Sequence, residues 1–214
     1  MKIFLIFLLL SISSNLLSSE RTYFFKRTQT MAGDINALEG IISFKKAGNK
    51  EIIDVNLQGN QKFNFWDDIE FQSEMDVQNG LEIYDIRKKA ESSGFSIFAH
   101  HININDFKPG YKTRNIETER RHPYFKDYSW NFYFHYVKNQ IISINNENIN
   151  VAYVILKGDR PTGGPNCRSG QPGVIKVESW YQLNTSKLLK QVFSKFLCKP
   201  YDYNLLERDT YIIQ

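Results

Sequence analysis

The chain has 214 residues, two cysteines and a formal net charge of +4. With 42% hydrophobic and 23% charged residues it is neither a disordered nor a supercharged chain. Six prolines and twelve glycines exclude a collagen-like or low-complexity chain, and two cysteines exclude a disulfide-dense mini-scaffold.

The first segment carries a targeting pattern. Met1-Lys2 precedes an apolar run over residues 3–10, and a serine-rich stretch follows as far as Ser19. A basic end, a short apolar run and small residues together predict a secretory signal peptide over residues 1–19. The expected mature chain is a single β-rich domain over residues 20–214, extracellular or periplasmic. No second apolar run approaches that length, so no transmembrane segment is expected in the mature chain. In an oxidising compartment Cys167 and Cys198 predict one disulfide, contributing about 3–4 kcal/mol by loop closure.

Along the mature chain the dominant period is two, which places alternate side chains on opposite faces of a strand. Strand candidates are residues 37–46 and 51–57, separated by the turn Ala47-Gly48-Asn49. Ile69, Phe71, Met75 and Val77 alternate with Glu70, Gln72, Glu74 and Asp76, predicting an apolar inner and an acidic outer face. Further candidates are 95–104, 141–144, 149–156 and 210–213. Trp130, Phe132, Phe134 and Tyr136 form one strand face, and Ile175, Val177, Tyr181 and Leu183 another. Asn145-Asn146-Glu147-Asn148 predicts a hairpin turn, because asparagine tolerates left-handed backbone conformations. Asn79-Gly80 is a further turn pair.

Two helices are expected. Leu188, Leu189, Val192, Phe193, Phe196 and Leu197 recur at helical spacing over residues 187–197, with lysines opposite. Asn184-Thr185-Ser186 precedes this stripe as a helix cap. It is also an N-x-S sequon. A weaker helix is expected over residues 85–93, closed by Gly94. The glycine- and proline-rich stretch 158–173 reads as a loop. The predicted fold is therefore mostly β, an antiparallel two-sheet sandwich with a C-terminal amphipathic helix. The alternative is α+β, if residues 85–93 form a helix.

Charge is segregated. Residues 67–85 hold acids and no lysine or arginine, whereas 108–126 hold Lys108, Lys112, Arg114, Arg120, Arg121 and Lys126. The four histidines are His100, His101, His122 and His135. His100 and His101 can share a site only at a bulge or a strand end, since neighbours in a regular strand diverge.

The order His101, Asn115, His122 resembles the His-Asn-His nucleases of the ββα-metal class. The resemblance implies His101 as the base, Asn115 as its orienting residue and His122 as a metal ligand. Arg120 or Arg121 would then hold phosphate. A divalent metal and a nucleic-acid partner enter only under this phosphodiesterase alternative. The glycine-rich spacer of that class is reduced here to Pro109-Gly110, and Pro123 follows His122 directly.

Aromatic residues reach 14%. Tyr133, His135 and Trp180 fall on the less apolar faces of their strands and are candidate ligand-facing residues, as are Arg120 and Arg121. The leading expectation is a secreted binding module that meets a glycan or a protein outside the cell. A second alternative is a membrane-active protein using the 187–197 helix or the basic segment.

Overall fold

The computed structural model describes residues 20–31, 34–59, 68–77, 81, 83–87, 94–114, 131–159, 172–197 and 205–214. Its strands are β1 (Arg21–Met31), β2 (Asp34–Ala47), β3 (Lys50–Gly59), β4 (Ile69–Asp76), β5 (Ile83–Arg87) and β6 (Gly94–Phe98). They continue as β7 (Lys112–Arg114), β8 (Asn131–Ile144), β9 (Glu147–Asp159), β10 (Pro172–Gln182), β11 (Leu188–Leu197) and β12 (Leu205–Ile213). A 3-10 turn spans Ile104–Asp106. Among the described residues there is no α-helix, and no helix long and apolar enough to cross a membrane.

Ten strands form one sheet in the order β4-β3-β2-β1-β12-β11-β10-β9-β8-β7, and β5 and β6 form a second, two-stranded sheet. All pairings are antiparallel. Strand β1 pairs with β12, so the two ends of the described chain meet in mid-sheet. The predicted turns at Gly48 and at Asn145-Asn146 form as expected. Gly48 has φ 64°, and Asn145 and Asn146 have φ 50° and 65°. Asn79-Gly80 lies outside the described residues.

The small sheet lies on the apolar face of the large one. Phe95 of β6 meets Phe25 of β1 at 5.1 Å and stacks on Phe71 of β4 at 6.4 Å. Phe98 of the same strand meets Phe134 of β8 at 6.2 Å. Laid flat, β4 and β8 would stand about 38 Å apart at ordinary strand spacing. Both reach one short strand, so the large sheet curls around β6. Inside the curl sit Tyr23, Phe44, Ile53, Val55, Val154, Leu156 and Val177, all at most 1% exposed.

Strand β6 is buried from Phe95 to Phe98, and its unpaired edge must find hydrogen bonds. The large sheet supplies them from side chains, one for every second residue. Arg27 donates to the Gly94 carbonyl at 2.9 Å, and Tyr211 to the Ser96 carbonyl at 3.2 Å. Gln191 donates to the Phe98 carbonyl and accepts from the Phe98 N–H, both at 2.9 Å. Arg21 donates to the His100 carbonyl at 3.2 Å. Tyr181 adds a bond to the Ala99 carbonyl at 2.9 Å.

Burying Arg27 requires a counter-charge. Asp209 takes its Nε and Nη2 at 2.7 and 2.6 Å, and Lys195 donates to Glu207 at 2.5 Å beside them. The Arg27 guanidinium also lies 4.7 Å above the Phe95 ring. Burial opposes the charge on Arg27, but Asp209 outweighs it and holds the guanidinium protonated. Burial likewise opposes the charge on Glu207. Lys195 and Arg27 outweigh it and keep the carboxyl below its usual range.

Two helix expectations are overturned. Residues 188–197 are β11, so the expected C-terminal helix is a strand, and the membrane-active alternative loses the helix it could have used. On this strand Gln191 and Lys195 face inward to polar partners, while Val192 and Phe196 face outward. That exchange destroys the period-two signal and leaves an apparent helical stripe. Residues 85–87 belong to β5 rather than to a helix, and the rest of the 85–93 prediction lies outside the described residues. Asn184-Thr185-Ser186 caps no helix. It forms the β10–β11 turn, where Ser186 has φ 57° and its Oγ accepts from the Ile104 N–H at 3.0 Å. The expected antiparallel β architecture with two packed sheets holds in coarse form. The sheets are unequal, ten strands against two.

Gln191→Leu should lower stability by about 1–3 kcal/mol, because it strands the Phe98 N–H in the core and leaves the Phe98 carbonyl only the longer bond from Tyr181 at 3.3 Å. Urea denaturation checks this. A loss below 1 kcal/mol would mean that the β6 edge finds other partners.

Candidate functional site

Two surfaces gather chemically active side chains. The first stands at one end of the curl. Glu51 opens the inward-facing series Glu51, Ile53, Val55, Leu57 on β3, so strand alternation drives a carboxylate into the core. Arg21 opens β1, two strands away. His100 and His101 follow β6 immediately, where the chain turns at Ala99 with φ 37°. An alanine in that left-handed region is strained, and the turn breaks strand alternation. Adjacent histidines thereby reach the same carboxylate.

His100 Nε2 lies 2.6 Å and His101 Nε2 3.0 Å from the same oxygen, Glu51 Oε2. Arg21 Nη2 donates to the other oxygen, Oε1, in a close ion pair. The same Nη2 lies 3.2 Å from His101 Nε2. The two imidazole rings sit 4.0 Å apart, with Phe44 at 4.9 Å and Tyr84 at 5.2 Å from His100. Glu51 and His100 are buried, and His101 shows 18% of its side chain.

Burial opposes ionisation of Glu51, but hydrogen bonds from both histidines and the Arg21 charge hold its pKa well below the usual range. Burial pushes His100 down to about 4, only partly offset by Glu51. At neutral pH a carboxylate, a guanidinium and a neutral His100 therefore share this end. His100 donates through Nε2, which leaves its buried Nδ1 without a hydrogen-bond partner. His101 and Arg21 line a cleft of about 880 Å³ with Glu20, Lys46, Asn103 and Lys187.

The second surface is the outer face of β7–β11. In register across it, Arg114 pairs with Tyr133 and Lys112 with His135. Tyr133 continues to Lys157 and Lys157 to Lys176. These residues line a cleft of about 740 Å³. Tyr133 donates to Asp159 at 3.0 Å and carries the Lys157 ammonium 5.7 Å over its ring. Burial, then the nearby Lys112 charge, lowers the His135 pKa. On the same face Trp180 stacks on Tyr153 at 5.1 Å, with the Lys190 ammonium 5.1 Å above it. Lys157 pairs with Asp159 at 2.9 Å and Lys176 with Glu178 at 3.0 Å. Neither Lys112 nor Arg114 has an ion-pair partner among the described residues.

The structure thus brings Tyr133 and His135 together with part of the basic segment and places Trp180 two strands away. Lys112 and Arg114 stand on β7, the strand at one edge of the large sheet. His101 is at the other cleft, which shares no lining residue with theirs. Asn115, Arg120, Arg121, His122, Cys167 and Cys198 lie outside the described residues, as do residues 1–19. Sequence reasoning missed Glu51 and Arg21. The available signal for Glu51 was an acid at an inward position of an otherwise apolar alternation.

The chain matches no protein-family model, no characterised protein and no solved structure.

Glu51→Gln should destabilise the fold by about 2–4 kcal/mol, since it leaves Arg21 without its counter-charge. A double variant, Arg21→Met with Glu51→Leu, should recover part of that loss. Thermal melting of the three proteins checks this. Equal losses in single and double variants would refute the coupling.

Proposed function

We propose that this protein is an extracellular binding module and that its ligand is an anionic glycan held on the outer face of β7–β11. The observation that carries the reading is the register of β7 on β8, which sets Lys112 and Arg114 beside His135 and Tyr133 at the mouth of one cleft. Sulfate or carboxylate groups pair with guanidinium and ammonium donors, Arg in bidentate fashion. Aromatic faces of Tyr133, Tyr153 and Trp180 offer stacking area for sugar rings. Lys157, Lys176 and Lys190 extend the positive field, and Asp159 and Glu178 moderate it. The signal-peptide pattern in residues 1–19 supports a glycan over a nucleic acid as the polyanion encountered. A protein partner with an acidic surface is the competing occupant.

Calorimetric titration with heparin-type sulfated polysaccharide tests the reading, with neutral dextran and single-stranded DNA as comparators. Binding should weaken with salt as counterions are released. Lys112→Ala with Arg114→Ala should weaken it about three- to tenfold, the sum of two exposed ionic contacts. Tyr133→Ala should weaken it without changing the salt slope. Equal affinity for sulfated polysaccharide and neutral dextran would sink the proposal. So would tighter binding of DNA.

A further inference from the structure

The cluster at the end of the curl is not used by the outer-face ligand. We propose that Glu51, His100 and His101 form a binding site for a divalent transition metal of the zinc class, with Arg21 as the cation it displaces. Potential ligand atoms of all three residues lie within 4.8 Å of one another. Two imidazoles and a carboxylate are a donor set suited to Zn²⁺, which takes three protein ligands and a water in open sites.

Local hydrogen bonding also points to a cation. His101 Nε2 stands 3.0 Å from an acceptor, Glu51 Oε2, and 3.2 Å from a donor, Arg21 Nη2. A neutral imidazole nitrogen serves one of these and not both. If Nε2 carries the proton it opposes the Arg21 N–H. If it does not, its lone pair opposes the carboxylate. A dication among the three ligand atoms accepts both nitrogen lone pairs and the carboxylate together.

His100 fits the same exchange. Its Nδ1 is buried and has no hydrogen-bond partner. Coordination through Nε2 moves the ring proton to Nδ1, so Nδ1 changes from an unpaired acceptor to an unpaired donor and no existing bond at Nδ1 is lost. Arg21 and His101 line the cleft of about 880 Å³, which provides the entry path and room for a water ligand. Glu20 lines the same cleft and can receive the displaced guanidinium. The ligands are held by β3 and by the turn after β6, so little ordering is needed on binding.

The test is calorimetric titration of the untagged, EDTA-treated protein with Zn²⁺, with Co²⁺ absorption bands as a second readout. The wild-type protein should bind one ion, and Arg21→Met should bind it about tenfold more tightly, since the competing cation is gone. His101→Ala removes a partly exposed ligand and should weaken binding more than about 100-fold. Circular dichroism establishes that each variant is folded. Absence of one-to-one binding in both the wild-type protein and folded Arg21→Met overturns the proposal. Unchanged affinity in His101→Ala overturns it equally.

Discussion

The unpaired edge of β6 organises this fold. A strand enclosed by a curled sheet has backbone groups that water cannot reach, and leaving each unsatisfied costs about 1–3 kcal/mol. Its neighbours on that side are not another strand but side chains. Arg27, Tyr211, Gln191 and Arg21 meet the carbonyls of residues 94, 96, 98 and 100 in turn. Alternate carbonyls share an edge, so the polar partners come at the period of the strand. The inner face of the large sheet is therefore not uniformly apolar.

The buried charges follow from that requirement. Arg27 inside the curl needs Asp209, and Lys195 with Glu207 completes a neutral group of four on β1, β11 and β12. Arg21, at the last position of the series, needs Glu51 in the same way. That pairing places an ionised carboxylate against the two histidines in the turn after β6. The reactive cluster is thus a terminal consequence of the solution used along the whole strand. It opens to a cleft only because the curl ends there. The outer face of β7–β11 is free of this constraint, and it carries lysines and aromatic rings.

Much of the strand content was legible in the sequence, and the reason is local. In β2, β3, β4, β8 and β9 the inward residues are apolar apart from Glu51 at the head of β3, and the turns carry Gly48 or Asn145-Asn146, so period and turn chemistry agree. The readings failed where inward residues had to be polar. In β1 the inward set is Tyr23, Phe25 and Arg27, with Phe24 turned outward, and no strand was expected there. In β11 inward Gln191 and Lys195 produced a helical pattern. Two of these polar positions, Arg27 and Gln191, are the ones that bind the β6 edge.

By itself the sequence determined the alternation of most strands, the two hairpin turns, the basic and acidic segments, and the condition under which His100 and His101 could act together. It left open which polar residues meet. Glu51 and His100 are 49 positions apart and Arg21 and His100 are 79 apart, so no local pattern relates them. Their meeting depends on a ten-stranded sheet curling around one buried strand. That curl is a property of many long-range pairings taken together, and it alone brings the carboxylate, the guanidinium and the imidazoles to one end of the molecule.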